Sequence, residues 1–264
     1  EFDHADIFTD LNAIQTQFHH LVRCIPSSGH IIASKGDAID EVLNRGCWTP
    51  VSRLDTGSPD DWLVQARDNH FGKFEISSPP GDSASITWGL IGRHNAENAL
   101  AAVAAANDIG ISVKDACEAL CRFEGVKRRL ELLGTPNEIA VYDDFAHPPP
   151  AVKTTLDGFR HAAGERRVVA VIEIRSNTMK RGTYKEELVP ATEHADLVFW
   201  LEPGELDWSM TETTSELNGH FVFRDTNQLH DALVGQLHSG DHVVIMSNGS
   251  FSGFHRQLLQ SLSS

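Results

Sequence analysis

The sequence predicts an α/β protein whose second half forms a mostly parallel sheet. Short apolar segments alternate there with segments of helical periodicity, which is typical of a sheet covered by helices on both faces. The composition agrees, because 41% hydrophobic and 22% charged residues over 264 positions suffice for a sizeable buried core. A chain of this length forms one large domain or two ordinary ones. We expect two, at residues 1–124 and 125–264.

The first predicted domain mixes helices with short strands. Residues 11–22 carry apolar side chains at the spacing of a buried helical stripe. Segments bounded by Asp, Asn, Gly and Pro turns predict strands at residues 30–33, 62–65, 71–76 and 84–88. Two Ala-rich helices are expected at residues 95–107 and 113–123, with Gly110 as the stop between them.

The second predicted domain alternates strands with helices. Apolar segments predict strands at residues 139–142, 168–174, 197–201 and 242–246. Helices are expected from the prolines at 148–150 to about Ala162, and at residues 184–192, 227–237 and 254–262. Ligands of such sheets bind beyond the carboxyl ends of the strands. That rule selects three loops, at residues 143–147, 175–180 and 247–250.

The charge and the cysteines narrow the function classes. The chain has 22 Lys and Arg against 37 Asp and Glu, a net charge of −15. We therefore expect no nucleic-acid partner and no membrane partner, because anionic surfaces need clustered cations. No apolar run reaches the roughly 18 residues of a membrane-spanning helix, and no secretory signal opens the sequence. Four cysteines without a CxxC pair favour reduced thiols and a cytoplasmic location.

Two motifs of the first domain carry candidate ligand-binding side chains. His4 follows Asp3 and precedes Asp6, and a neutral imidazole flanked by carboxylates can bind a divalent cation; a solvated loop is the alternative. Asn95 and Asn98 lie three residues apart at a helix start, so both amides face one side. Amides suit the edge of a purine base or a ribose, and helix capping by Asn95 is the alternative.

Residues 125–131 concentrate three cations in an acidic sequence. A strand-like alternation directs Lys127 and Arg129 to one face and Arg128 to the other. On its face, Arg129 can form a forked hydrogen-bond pair with a phosphate. A solvated basic edge is the alternative.

An acidic turn follows the first strand of the second domain. Asp143 and Asp144 end this strand, and such a pair can bind ribose hydroxyls or magnesium, or simply cap the turn. His147 precedes a helix N-terminus, where it can donate a hydrogen bond to a phosphate.

Small polar residues occupy the other two loops. Arg175 and Lys180 suit the carboxylates of a substrate, and Gly249 allows a backbone to approach a ligand closely. The remaining substrate-binding candidates of these loops are Asn177, Ser247 and Asn248. The sequence contains neither Gly-x-x-x-x-Gly-Lys-Ser/Thr nor Gly-x-Gly-x-x-Gly, which disfavours a self-sufficient P-loop enzyme and a dinucleotide-binding oxidoreductase.

Four motifs, in order, resemble those of the Mur ligases, the ATP-dependent amide ligases of peptidoglycan synthesis. Residues 1–6 resemble a motif that ends in Asp-His-x-Asp, and residues 92–99 resemble Gly-x-His-Asn-x-x-Asn-Ala. Residues 125–131 resemble Gly-x-x-x-Arg-x-Glu at the junction between two domains of the family. Residues 143–148 resemble Asp-Asp-Tyr-x-His-x-Pro. The resemblance covers essentially the whole chain.

The resemblance implies both the fold and the activity. Residues 1–124 resemble the C-terminal part of the family's central ATPase domain, and residues 125–264 its Rossmann-like C-terminal domain. Residues 175–180 and 246–249 resemble most the branch that joins UDP-N-acetylmuramate to the murein tripeptide L-alanyl-γ-D-glutamyl-meso-diaminopimelate. The implied reaction forms an acyl phosphate on the muramoyl carboxylate, which the peptide amine then attacks, with ATP and Mg²⁺ as cofactors.

The resemblance also implies roles for individual residues. His4 is the implied magnesium ligand, and Asn95 and Asn98 are the implied contacts of the adenine and ribose. The residues implied to hold ATP from the C-terminal domain are Arg129, Asp144 and His147. The implied catalytic residues are His4, Arg129 and Asp144.

Two parts of the family pattern do not occur in the sequence, namely the phosphate-binding loop and the N-terminal uridine-nucleotide domain. We therefore expect the chain to be part of a longer ligase and to be inactive by itself. Two other readings stay open within this view: a non-catalytic nucleotide- or peptide-binding module, and another Mur ligase such as UDP-N-acetylmuramate–L-alanine ligase. A third is a metal-dependent hydrolase that uses His4, Asp6, Asp143, Asp144 and His147.

Overall fold

The computed structural model describes residues 2, 4–5, 7–79, 81–202, 204 and 206–263. The chain divides into two compact units, Glu1–Glu124 and Gly125–Ser264. Asp3 and Asp6 of the predicted metal-binding motif lie outside the described residues.

Two helices open the first unit. Helix α1 (Leu11–Cys24) starts at Asp10, whose side chain accepts a hydrogen bond from the backbone N–H of Ala13. Helix α2 (Asp37–Asn44) packs against α1, and the amide of Gln15 joins them by donating to the carbonyl oxygen of Ala38 at 3.1 Å.

The first unit contains two small sheets. Strands β1 (Ile31–Ser34) and β2 (Val51–Leu54) pair in parallel. Strands β3 (Leu63–Ala66), β4 (Lys73–Ser77) and β5 (Ser83–Thr87) form a separate antiparallel sheet in that order.

Helices α3 (Arg93–Asp108) and α4 (Val113–Leu120) build the core of the first unit together with these sheets. On β4 the side chains of Phe74 and Ile76 are buried, whereas that of Lys73 is exposed. This alternation is the period-two pattern of a strand with one face in the core. The Ala-rich face of α3 permits close packing against that face.

One sheet organises the second unit. Its strands are β6 (Glu131–Gly134), β7 (Ala140–Asp144), β8 (Val168–Glu173), β9 (Leu197–Leu201), β10 (His220–Phe223) and β11 (His242–Met246). They form a six-stranded sheet in the order β10-β9-β8-β11-β7-β6. All neighbouring pairs are parallel except β6 and β7, which are antiparallel. The predicted α/β fold with a mostly parallel sheet is therefore confirmed.

Helices bury both faces of this sheet. They are α5 (Pro149–Ala163), α6 (Asn177–Lys180), α7 (Lys185–Leu188), α8 (Met210–Thr213), α9 (Thr226–Val234) and α10 (Phe254–Leu262). Strand β11 is buried at every position, and β8 at every position except its last residue, Glu173. Such continuously apolar strands are typical of a sheet covered on both faces.

The observed elements differ from the predicted ones in a few places. The sequence patterns did not predict α2, α6, α8, β2, β6 or β10, all of which are short, and α6 forms within the loop predicted at residues 175–180. The helix predicted at residues 184–192 is interrupted: α7 ends at Leu188, and Pro190–Thr192 forms a 3₁₀ turn. Pro190 has no N–H to continue the helical hydrogen bonds. Within the described residues, no helix has the length and apolar character needed to cross a membrane.

Candidate functional site

Three loops of the second unit begin where parallel strands of its sheet end. We call this side of the sheet, formed by the carboxyl ends of β7, β8 and β11, the binding edge. Strands β7, β8 and β11 run parallel, and Asp144, Ile172 and Met246 lie side by side in register. The segments that follow these residues therefore leave the sheet at the same edge. This edge is where the sequence placed its candidate binding loops.

Arg128 joins the start of the second unit to this edge. Its Nη2 atom donates hydrogen bonds to the carbonyl oxygens of Ser247 and Gly249, each at 2.6 Å. Its Nε atom lies 3.2 Å from Oδ2 of Asp143. The planar guanidinium reaches all three oxygens at once, which an ammonium group does not. Arg128 therefore fixes the backbone of the 247–250 loop against β7.

The strand-like alternation predicted for residues 125–131 is wrong. Strand β6 begins only at the last of these residues, and Arg128 and Leu130 have left-handed backbone, with φ of 60° and 50°. Left-handed residues break the regular alternation of side chains along an extended chain. Arg128 consequently turns inward, whereas Arg129 is exposed and its guanidinium carbon lies 5.5 Å from the centre of the Phe145 ring.

Asp143 is a buried carboxylate with two basic partners. Its Oδ1 atom lies 3.1 Å from Nε2 of His255, and its Oδ2 atom contacts Arg128. Burial by itself raises the pKa of Asp143, but the hydrogen bond and charge of His255 and the charge of Arg128 outweigh it and lower the pKa. Asp143 is therefore ionised at neutral pH and holds both partners.

Asp144 is used within the second unit. Only 4% of the residue is exposed. Its Oδ2 atom accepts a hydrogen bond from the backbone N–H of Leu130 at 2.8 Å, and its Oδ1 atom accepts one from the N–H of Ala146 at 2.7 Å. This is the turn-capping role that the sequence left open. Contact of Asp144 with a nucleotide stays a prediction.

His147 lies just before α5. Its Nδ1 atom is 3.0 Å from the carbonyl oxygen of Phe145, and its ring stands edge-on to the Phe145 ring at 5.6 Å between centres. Because a carbonyl only accepts, Nδ1 carries the hydrogen of this bond. The backbone contact orients the imidazole at the start of the helix, and its role near a phosphate stays a prediction.

The ends of β8 and β11 are connected by side chains. The hydroxyl of Ser247 donates to the carboxylate of Glu173 and accepts a hydrogen bond from the N–H of Gly249 at 2.9 Å. Ser247 is fully buried, so its side chain holds the loop together. The Nη1 atom of Arg175 lies 3.9 Å from Oε1 of Glu173.

Gly249 provides room for Arg175. A Cβ atom at position 249 would lie 2.5 Å from Nε of Arg175, closer than nonbonded atoms approach. The close approach predicted for Gly249 thus involves the guanidinium of Arg175. Next to it, Oδ1 of Asn248 is buried and has no hydrogen-bond partner within the described chain.

The other substrate-binding candidates lie on the short helix α6. Ser176 caps this helix by accepting a hydrogen bond from the N–H of Met179 at 3.3 Å. Asn177 is exposed and Lys180 half-buried, and the Lys180 carbonyl accepts a hydrogen bond from the N–H of Asp207 at 3.2 Å. Binding of substrate by Asn177 and Lys180 stays a prediction.

In the first unit, Asn95 and Asn98 lie near the start of α3. The helix begins two residues earlier than predicted, after Gly92 with its φ of 91°, and no side chain caps it. The amide of Asn95 donates to the carbonyl oxygen of Ile91 at 2.8 Å, while Asn98 is exposed. Asn95 therefore supports the helix start from inside its first turn rather than from the cap position.

His4 is exposed in a turn before α1. Its carbonyl oxygen accepts hydrogen bonds from the N–H groups of Ile7 at 2.8 Å and Phe8 at 2.9 Å. The residue has left-handed backbone, with a φ of 55°. Its side chain is exposed, and coordination of a metal by His4 stays a prediction.

In the second unit, the side chains proposed for a metal-dependent hydrolase do not come close enough to share a metal ion. In the described part of the chain, the one group of His, Cys, Asp and Glu side chains close enough to share a metal is Asp157, Glu193 and His194. Lys153 already pairs with Glu193 there. Of the five residues proposed for a hydrolase, Asp143, Asp144 and His147 belong to the second unit and do not form such a group, and Asp6 lies outside the described residues.

Sequence reasoning missed Arg128, Glu173 and His255. Arg128 stands out in the sequence as one of three adjacent cations, but the predicted strand directed it away from Arg129 and gave it no role. Glu173 follows five apolar residues and ends its strand, so it was available as a lone acid at the binding edge. His255 lies 112 positions from its partner Asp143, a separation for which no local pattern exists.

Comparison with known proteins gives the relationship of the chain. Residues 1–106 match the Mur ligase middle domain, and residues 128–249 match the Mur ligase glutamate ligase domain. The chain is 41% identical, over 264 residues, to the UDP-N-acetylmuramate–L-alanyl-γ-D-glutamyl-meso-2,6-diaminoheptandioate ligase of Haemophilus influenzae. That match covers 99% of this chain and 58% of the relative, so the chain spans little more than half the length of that protein.

Two further proteins show how the similarity varies, one of equal identity and one of lower identity. The crystal structure of a murein peptide ligase from Psychrobacter arcticus superposes with a TM-score of 0.72 at 41% identity, over 97% of this chain and 56% of that one. The UDP-N-acetylmuramate–L-alanine ligase of Paenarthrobacter aurescens is 28% identical over 269 residues, 99% of this chain and 59% of that protein.

Proposed function

The chain belongs to the Mur ligase family, and on that premise we propose that the whole protein joins UDP-N-acetylmuramate to L-alanyl-γ-D-glutamyl-meso-diaminopimelate at the expense of ATP. The higher identity to the diaminoheptandioate ligase than to the alanine ligase supports the tripeptide as acceptor. In such a reaction the muramoyl carboxylate is activated by phosphoryl transfer and the peptide amine then attacks it. Reactants of this kind support a cytoplasmic location, which we propose for the whole protein.

The observation that carries the proposal is the edge shared by β7, β8 and β11. Arg128 holds the 247–250 loop there, and Arg175 and Lys180 bring cationic groups to the loops that leave the same edge. Cationic side chains suit the carboxylates of a peptide acceptor. Asn177 and Asn248 offer amide donors and acceptors for its peptide groups.

ATP fits residues of both units by their chemistry. No side chain caps the start of α3, and the exposed amide of Asn98 near that start suits a base or ribose. From the second unit, exposed Arg129 supplies a guanidinium for a phosphate. Asn95, Asp144 and His147 are the further proposed contacts.

Magnesium fits the exposed imidazole of His4, although oxygen atoms are its preferred ligands. When bound, Mg²⁺ supplies positive charge that neutralises phosphate oxygens during phosphoryl transfer. His4 is the residue that would hold the ion.

ATP turnover with defined acceptors tests the proposal. The whole protein should release ADP when it is given UDP-N-acetylmuramate together with the tripeptide, and release it far more slowly with L-alanine as acceptor. Equal turnover with the two acceptors would identify an alanine ligase. No ADP release with either acceptor would contradict ligase activity.

For the 264-residue chain by itself, we propose binding without turnover, because its sequence holds no phosphate-binding loop motif. Calorimetric titration with the tripeptide should then produce heat in the absence of ATP. Titration with ATP shows whether the proposed nucleotide contacts of this chain suffice without the phosphate-binding loop. Absence of heat with both ligands would contradict this view.

A further inference from the structure

Glu173 presents a carboxylate at the binding edge and is held in place. It is the last residue of β8, and only 12% of its side chain is exposed. The hydroxyl of the buried Ser247 donates to Oε2. Because that bond comes from the neighbouring central strand, the orientation of Glu173 is set by the sheet itself.

Arg175 forms a long ion pair with Glu173 but no hydrogen bond. The distance of 3.9 Å between Nη1 of Arg175 and Oε1 of Glu173 is too long for a hydrogen bond. The guanidinium is instead fixed by its close approach to Gly249, and 52% of its side chain is exposed. Both groups therefore keep hydrogen-bonding capacity for a ligand.

An adjacent carboxylate and guanidinium match a ligand whose ammonium lies next to its carboxylate. The ammonium then faces Glu173 and the carboxylate faces Arg175. The free amino-acid end of a diamino acid has an ammonium and a carboxylate on one carbon. A lone carboxylate would be repelled by Glu173 as it approached Arg175. The N-terminal ammonium of a peptide has no free carboxylate beside it.

We propose that Glu173 and Arg175 together bind the free amino-acid end of the third residue of the peptide acceptor. Glu173 accepts hydrogen bonds from its ammonium, and Arg175 donates to its carboxylate. The inference rests on the proposed function and goes beyond it by assigning the residues that select a diamino acid. Glu173 is thereby a specificity-determining residue that the sequence did not single out.

The neighbouring loop supports this assignment. Oδ1 of Asn248 is a buried acceptor without a hydrogen-bond partner among the described residues. A buried unsatisfied acceptor costs free energy, and an ammonium is a donor that would satisfy it. Asn248 lies between Ser247 and Gly249, which contact Glu173 and Arg175 respectively.

Three peptide acceptors separate the two charges. They share L-alanyl-γ-D-glutamate and differ in the third residue, which is meso-diaminopimelate, L-lysine with only the ammonium, or L-2-aminopimelate with only the carboxylate. The readout is kcat/KM of the whole protein for each peptide under saturating ATP and UDP-N-acetylmuramate. Glu173→Gln keeps an acceptor for Ser247 while removing the charge.

We expect Glu173→Gln to lower kcat/KM roughly tenfold to a hundredfold for the diaminopimelate and lysine peptides, the usual effect of losing a hydrogen bond to a charged group. For the aminopimelate peptide kcat/KM should not fall and should rise, because Glu173→Gln removes the charge that repels its lone carboxylate. Arg175→Gln should show the converse pattern, with the diaminopimelate and aminopimelate peptides affected and the lysine peptide spared.

Glu138→Gln is the matched control. Glu138 also accepts a hydrogen bond from a serine, Ser239, but near the amino ends of β7 and β11. This variant should leave the selectivity among the three peptides unchanged. A similar loss in Glu138→Gln would show that the effect of Glu173→Gln is general to the sheet, and would overturn the proposal.

Two outcomes overturn the inference while leaving the proposed function standing. If the wild type turns over the diaminopimelate peptide but Glu173→Gln lowers kcat/KM equally for all three peptides, Glu173 contacts the shared N-terminal ammonium. If Glu173→Gln has no effect on any of them, Glu173 is outside the peptide site. Failure of the wild type to use any of the three peptides overturns the proposed function as well.

Discussion

Nε of Arg128, in the turn that begins the second unit, lies 3.2 Å from Oδ2 of Asp143 on β7, the strand next to the edge strand β6. The left-handed backbone of Arg128 makes this contact possible, because it turns the side chain inward. Arg129, the next residue, is left exposed. One residue of the pair thus builds the edge, and the other remains accessible to a ligand.

Arg128→Ala should destabilise the second unit by about 2–3 kcal/mol, since it removes hydrogen bonds to a carboxylate and two carbonyl oxygens and leaves Asp143 with a single basic partner. Urea unfolding of the 264-residue chain measures this loss. Lys127→Ala, at an exposed neighbour, is the control and should change the free energy of unfolding by less than about 0.5 kcal/mol. Equal effects of the two substitutions would contradict the structural role of Arg128.

Arg129→Ala should act on turnover and spare stability. The proposed guanidinium–phosphate contact lowers the barrier of phosphoryl transfer, so kcat of the whole protein should fall roughly 10²-fold. The free energy of unfolding should stay within about 0.5 kcal/mol of the wild type, because the side chain is exposed. Unchanged kcat would remove Arg129 from the reaction.

Asp144→Ala should lower stability in the absence of any nucleotide. The substitution leaves the N–H groups of Leu130 and Ala146 without their acceptor, at a cost of about 1–3 kcal/mol for each buried group. Thermal unfolding of the chain without ligand measures this effect. A wild-type melting temperature in Asp144→Ala would mean that the carboxylate serves only a ligand.

Stability should decline as the pH falls below about 6.5, the usual pKa of histidine. Burial lowers the pKa of His220, and burial together with the charge of Arg166 lowers that of His242. The unfolded chain therefore binds protons that the folded chain excludes, so this part of the stability is complete above the ordinary pKa and is lost as the pH falls through the lowered values.

Urea unfolding between pH 7.5 and 5 measures this decline. The contacts agree with neutral rings, because Trp200 donates to Nδ1 of His220 at 3.2 Å. The double substitution His220→Gln and His242→Gln should flatten the profile in this range, and His161→Gln, at an exposed position, is the control. A profile as steep in the double variant as in the wild type would contradict the assignment.

Cys117 should resist alkylation in the folded chain. Burial raises the pKa of its thiol to about 11, so little reactive thiolate forms at pH 8. Cys24 and Cys121 are exposed and should react with iodoacetamide first. Peptide mass spectrometry after brief labelling measures the order, and labelling of Cys117 at the rate of Cys121 would contradict it.

Much of the second unit could be predicted, because its strands are apolar throughout and are separated by helices. Strands β9 and β11 and helix α10 have the predicted bounds. Strand β10 was missed, because its apolar run is only three residues long, Phe221–Phe223, and shows no alternation. Strand β6 was missed because it precedes the series in which strands alternate with helices. It is the edge strand opposite β10 and pairs antiparallel with β7.

The sequence predicted where on the sheet the candidate site lies, but it predicted only some of the side chains that build it. The rule for carboxyl ends of parallel strands selected three loops that do leave the sheet at the same end, since it depends on topology alone, and binding by these loops stays a prediction. It did not show that Ser247 and Asp144 are committed to internal hydrogen bonds, because such bonds depend on register across strands. The inward turn of Arg128 depends on two left-handed residues that no periodicity indicates.

Arg128 binds the 247–250 loop through carbonyl oxygens, which every amino acid possesses. Side-chain substitutions at Asn248 or Ser250 should therefore alter the selectivity for the proposed peptide substrate and leave the loop anchored by Arg128. The same separation offers protein engineers a scaffold in which acceptor choice is changed by exchanging a few side chains, without rebuilding the backbone that carries them.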